Sequence, residues 1–226
     1  MIRDLIQDGF STEILIDLMS TLFVVFFSLP VHEYAHAWMA TRLGDQTPRL
    51  AGRLTLNPLR HLDVIGTILI FVVGFGYAKP VMVNPRNFKD SRKGMALTAA
   101  AGPAVNLLMA VMFMILSNVA WLFTKAGAVV SPADVAVAFF TQAAWINVCL
   151  AVFNLLPIPP LDGSRILGLL LPRDAYFKVM QYEQYMLYGL YALLFFNVLT
   201  VPLSWLSNLV FDGLDFIFFL PFRLFA

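Results

Sequence analysis

Charge is what this chain most lacks. Only 13% of its 226 residues are Asp, Glu, Lys or Arg, about half the share usual in soluble proteins. No polar stretch runs beyond about 35 residues, short of the ~50 that a separate soluble domain needs. A single cysteine, Cys149, excludes an intramolecular disulfide and leaves the redox compartment unread. The net charge of +1 gives no reason to expect nucleic acid as a partner. The first 13 residues carry Asp4, Asp8 and Glu13 beside Arg3 alone, the reverse of a basic signal-peptide start, so a cleavable signal is not expected. Histidine is scarce too, with three in the chain.

Apolar residues make up 60% of the chain, 21 of them Phe, and the mean hydropathy is +0.78. This is the composition of a polytopic membrane protein. A bilayer core of ~30 Å needs about 20 helical residues, and five segments qualify: 14–40, 94–123, 135–157, 184–201 and 203–220. A sixth, 62–78, is shorter and holds Gly66, Gly74 and Gly76. Arg42, Arg49, Arg53 and Arg60 precede it, and Lys79, Arg86, Lys89, Arg92 and Lys93 follow. Basic loops favour the cytoplasmic side. If 62–78 enters and leaves on one side, 13 of the 15 Lys and Arg become cytoplasmic. The expected fold is therefore all-α, with about five transmembrane helices and a re-entrant or peripheral element at 62–78. Short β segments have room near 45–60 and 77–86. The whole chain, 1–226, reads as one membrane domain: a core over 14–170 and a C-terminal helical pair over 171–226.

Two of the three histidines stand in one pentapeptide, His32-Glu33-Tyr34-Ala35-His36, at the end of the apolar run Ile14–Val31. On a helix, positions i and i+4 share a face, so both imidazoles can ligate one metal. Glu33 is left free to act as general base toward water that the metal activates. Chance alone gives about one such match in a few thousand chains of this composition.

Two histidines leave a catalytic zinc short of a third protein ligand. Met39 and Arg42 stand where a longer zinc motif would need Gly and His. The candidates elsewhere are His61, Asp63, Asp17 and Asp162. Asp17 lies ~22 Å of helix rise before the histidines, too far along the same helix. Asp162 is the best choice. It closes the run Asn154-Leu-Leu-Pro157-Ile-Pro159-Pro160-Leu161-Asp162-Gly163, whose prolines must break the preceding helix. The freed turn can aim Asp162 back at the bundle, with Gly163 taking a φ that other residues avoid. With 62–78 re-entrant, helices 14–40 and 135–157 run parallel, and both motifs end near the same membrane face.

Together with Ala101-Gly102-Pro103 and Asn106, these motifs resemble the site-2 protease family of intramembrane zinc metalloproteases. Asn57-Pro58-Leu59-Arg60-His61-Leu62-Asp63 further resembles its short bacterial branch, which lacks the PDZ or CBS domains of better-known members. The resemblance covers residues 14–170. It implies one Zn²⁺ held by His32, His36 and Asp162, water activation by Glu33, and Asn154 near the site. Asn154 is then a candidate donor to substrate backbone or to the developing oxyanion. The implied substrate is a transmembrane segment of another membrane protein. The implied location is a prokaryotic cytoplasmic membrane, with the site toward the cytoplasm.

Other residues read more modestly. His61 is a candidate accessory ligand or a loop-orienting residue. Asn106 and Asn147 read as helix-packing residues, and Gly102 as a close helix contact. Residues 1–13 suggest a surface helix bearing Leu5, Ile6 and Phe10. A substrate segment must unwind to expose its peptide bond, and an edge near 45–60 or 77–86 can pair with it as a strand. The rival readings are a membrane metal transporter and a non-catalytic relative that binds membrane helices. Oligomeric state is not legible.

Overall fold

The computed structural model describes residues 11–73, 76, 78–124, 131–219 and 222, and these are mostly helical. The surface helix expected over residues 1–13 falls almost wholly outside them. Helix α1 (Thr12–Phe23) begins where the Ser11 hydroxyl accepts the N–H of Ile14. It continues through a π-turn, Val24–Ser28, into α2 (Leu29–Arg42). Pro30 accounts for that turn: it has no N–H for the Phe26 carbonyl, and its ring crowds it. Gly44, at φ +111°, ends the helix in a conformation that favours glycine.

The chain then makes a long excursion before the next span. It contains α3 (Thr47–Leu50), a 3₁₀ turn at Pro58–Arg60, α4 (Val64–Val73) and a second 3₁₀ turn at Pro85–Asn87. Its neck is tied by Asp45, which is fully buried. The carboxylate accepts from Thr47 N–H and hydroxyl, from Asn84 N–H at 2.7 Å and from the Asn87 amide at 2.6 Å. Within the excursion, Leu62 and Ala78 form an antiparallel bridge, and Lys79 N–H donates to the His61 carbonyl at 2.7 Å. A Cβ at Gly76 would stand 1.9 Å from the Gly66 carbonyl oxygen, so only glycine lets the returning chain lie against α4. The strands expected near 45–60 and 77–86 are replaced by this single bridge among the described residues. Pro48 and Pro58 open helical turns in the first region. In the second, Val81–Val83 has no regular structure and no backbone partner among the described residues.

Helix α5 (Ser91–Trp121), capped by Asp90, and α6 (Pro132–Asn154), opened by a Ser131–Asp134 capping box, form the centre. They pack on each other more extensively than any other pair; α1 lies on α6, whereas α2 lies on α5. Small residues allow the approach: Ala110, Ala143, Ala144 and Ala151 are fully buried, around Val24, Met109, Phe113 and Met114. Polar links join the helices: the Asn147 amide donates to Ser28 Oγ at 3.1 Å, and Ser20 Oγ to the Phe139 carbonyl at 3.3 Å.

After α6 come α7 (Asp162–Leu167), α8 (Arg173–Gln181), α9 (Glu183–Phe195) and α10 (Thr200–Phe219). Among the described residues, three helical stretches are long and apolar enough to cross a membrane: Thr12–Arg42, Ser91–Trp121 and Pro132–Asn154. The two further spans expected at 184–201 and 203–220 appear as α9 and α10, bent by 86° and adding one span at most, for a total of up to four. Asn197, at φ +57°, closes α9, and Pro202 sits in the first turn of a new helix. A cavity of about 490 Å³ lies between α1, α6, α10 and the returning chain, bounded by Asp17, Leu29, Gly76, Phe153 and Ser204.

Candidate metal centre

His32 and His36 lie one turn apart on α2, both buried, and face Asp162 at the start of α7. Their Nε2 atoms are 3.0 Å apart, and Asp162 Oδ2 is 3.5 Å from the first and 3.3 Å from the second. A tetrahedral ion with bonds of about 2.0–2.1 Å spaces its ligands about 3.3 Å apart. The three atoms therefore already have the spacing of one face of a zinc tetrahedron.

The far side of each ring explains why the near side is bare. His36 Nδ1 is 2.8 Å from the Thr98 carbonyl, which can only accept, so Nδ1 carries the proton and Nε2 presents a lone pair. His32 Nδ1 is fixed likewise by Asn106 Oδ1 at 3.2 Å. Asp162 Oδ2 is buried and lacks a hydrogen-bond partner. Three converging acceptors repel one another unless a cation lies between them. Two imidazoles and one carboxylate suit zinc, and three protein ligands leave a fourth position open. Among the described residues this is the only such group.

Glu33 follows His32 by one residue and so projects about 100° around the helix from it. It is buried, stands outside the ligating group, and lies within electrostatic reach of His36.

The neighbouring elements hold this arrangement from behind. The α5 backbone forms one wall: a Cβ at Gly102 would lie 2.5 Å from His32 Cε1 and from His36 Cε1 and Nε2. Asp162 is aimed by the break after α6, as the prolines require. Gly163 has a different part from the expected one. Its φ is not in the left-handed region; a Cβ there would stand 2.1 Å from the Leu155 carbonyl oxygen, so glycine is needed for close approach. Beyond α7, the Arg92 guanidinium donates to the carbonyls of Gly168, Leu169 and Leu171, latching the Asp162 segment to the start of α5.

The remaining candidates lie elsewhere. His61 is fully buried outside the ligating group, its Nε2 donating to the Thr55 carbonyl at 2.7 Å. It fastens the loop. Asp63 caps α4, its Oδ1 accepting from Ile65 and Gly66 N–H at 3.0 Å each. Asn154 donates one amide N–H to the Leu150 carbonyl at 2.9 Å. Asn147 packs helices, but Asn106 does more than pack, since it orients His32. An amide in an apolar helix is a visible signal, yet sequence does not reveal which group it faces. Arg92 and the Thr98 carbonyl carried no signal.

These features have parallels in known proteins. The model of peptidase family M50 matches residues 20–197. YwhC of Bacillus subtilis, a candidate zinc metalloprotease by name, is 44% identical over 170 residues, which cover 74% of this chain and 75% of YwhC. Rip2 of Mycolicibacterium smegmatis, also a candidate zinc metalloprotease by name, is 32% identical over 145 residues, covering 60% of this chain and 51% of Rip2. No solved structure matches the chain. A family match that takes in both histidines, Glu33 and Asp162, joined to a donor set with zinc's spacing, makes this chain a zinc metalloprotease of peptidase family M50, the site-2 proteases.

Proposed function

We propose that the chain is an intramembrane endopeptidase that cuts membrane-protein substrates in or near a transmembrane segment. The carrying observation is the convergence of His32, His36 and Asp162 from a membrane-crossing helix and the turn after another. In this reading those three hold one Zn²⁺. Bound zinc supplies a Lewis acid for the scissile carbonyl and lowers the pKa of water toward ~7. Glu33 takes a proton from the attacking water and delivers it to the leaving amine. Asn154 keeps one N–H for the substrate backbone after bonding Leu150.

The site faces the cytoplasm, with 62–78 re-entrant. Two observations support this: α4 has ten residues, ~15 Å of rise or half the bilayer core, and the Leu62–Ala78 bridge returns the chain to where it left. The substrate segment unwinds beside the cavity, one of whose lining residues, Leu29, lies about one helical turn before His32. Val81–Val83, whose backbone bonds no other backbone among the described residues, is the edge with which it pairs.

The test measures zinc content and cleavage of a single-span substrate in liposomes for wild type, Glu33→Gln and Asp162→Ala. The expected result is cleavage by wild type alone, with zinc kept in Glu33→Gln and weakened in Asp162→Ala. Zinc retained by Asp162→Ala, or cleavage surviving Glu33→Gln, overturns the assignment.

A further inference from the structure

The excursion between α2 and α5 presents an unusual surface. Residues 46–83 carry Arg49, Arg53, Arg60 and Lys79 against one acidic residue, Asp63, whose carboxylate is engaged at the α4 N-terminus. The same stretch turns large apolar side chains outward: Leu50 is 86% exposed, Leu59 77% and Met82 67%, with Leu56 also exposed. None of the four belongs to a span. Arg49, Arg60 and Lys79 are exposed beside them. On α4, Val64, Ile65 and Ile68 are exposed as well.

Leucines standing this far out of a folded surface need a partner, and the charge beside them selects one. An apolar wedge ringed by arginine and lysine matches the boundary between acyl chains and phosphate groups. We propose that residues 46–61 and 79–83, which flank the re-entrant element, form a wedge seated in a leaflet rich in anionic phospholipid. Leu50, Leu56, Leu59 and Met82 enter the acyl boundary, while Arg49, Arg60 and Lys79 bind lipid phosphates. The Asp45 clamp fixes the neck of this wedge directly behind α2. Lipid composition thereby sets the position of an element that lies one short connection from both zinc-binding histidines.

The experiment uses the full chain with Cys149→Ser and Leu59→Cys, labelled at residue 59 with an environment-sensitive fluorophore. It is reconstituted in vesicles of phosphatidylcholine alone, or with one third phosphatidylglycerol. The expected result is a blue-shifted emission, quenched by lipids spin-labelled near the headgroup, in the anionic vesicles and not in the neutral ones. Each basic residue near an anionic surface is worth about fivefold in partitioning, so Arg49→Gln with Arg60→Gln lowers the seated fraction ratio about 25-fold. High salt does the same to wild type. Zinc content, unchanged in the variants, shows that they fold. Equal emission in both vesicle types, or a shift indifferent to the two arginines, overturns the proposal. So does a probe that stays water-exposed until an acidic membrane-protein substrate is added, which assigns the surface to protein.

Discussion

Adding one methyl group at Gly102 tests whether the backbone of α5 is a wall of the metal site. The new Cβ would stand 2.5 Å from carbon and nitrogen atoms of both imidazoles, against ordinary contacts of about 3.5–4.0 Å. The rings must retreat by about 1 Å, and overpacking of this kind costs about 1–3 kcal/mol. Opposing it, alanine is better than glycine inside a helix by about 1 kcal/mol. Unfolding of the zinc-free protein should therefore shift little, because free rings can turn aside while the helix gains. Zinc fixes the rings where the methyl clashes, so the strain falls on binding, a loss of roughly 5- to 150-fold in affinity. The assay is competition for zinc against a chromophoric chelator in detergent, alongside thermal unfolding with and without metal. Gly189→Ala is the control, since nothing lies within 4 Å of its Cβ position. Wild-type zinc affinity in Gly102→Ala would refute the reasoning.

Asn106→Ala should weaken zinc binding about 10- to 100-fold, as loss of a ligand's hydrogen-bond partner does, whereas Asn106→Asp still accepts from His32 Nδ1 and should keep most of it. The same competition assay decides. Asp45 gives a pH signature. Burial works to raise its pKa, but hydrogen bonds from Thr47, Asn87 and Asn84 hold it below the ordinary carboxylate range. Its stabilisation is thus complete above the unfolded value of ~3.9 and is lost as pH falls through the lowered folded value. Thermal melts between pH 7 and pH 3 should show an acid limb in wild type that is reduced in Asp45→Asn.

Much of the site was written in the local sequence. The spacing of His32 and His36 requires only a helix, and the prolines after Asn154 require only a break, so chemistry and chain direction were legible together. The three long spans were legible too, because hydropathy over 20 residues is a strong signal. What was not legible depends on neighbours far along the chain. Asn106 reads as a packing residue until α5 lies against α2 and its oxygen meets His32 Nδ1. Gly163 reads as a turn glycine until the Leu155 carbonyl occupies the space of its missing side chain. Residues 184–220 read as two spans because composition does not report the 86° bend at Asn197. The expected strands failed for a related reason: alternation shows what a segment can do, but a strand also needs a partner.

The π-turn at Val24–Ser28 has a meaning for how this helix can change. Each helical residue turns the chain about 100°, so one residue added or removed rotates everything beyond it by that amount. Lipid is indifferent to such a rotation, and a uniformly apolar span tolerates it. Here the half before the turn is committed to α6 and the half after it to α5. A single-residue insertion at 24–28 would leave composition and length almost untouched, yet point both histidines away from Asp162. The helix is permissive in its letters and strict in its count.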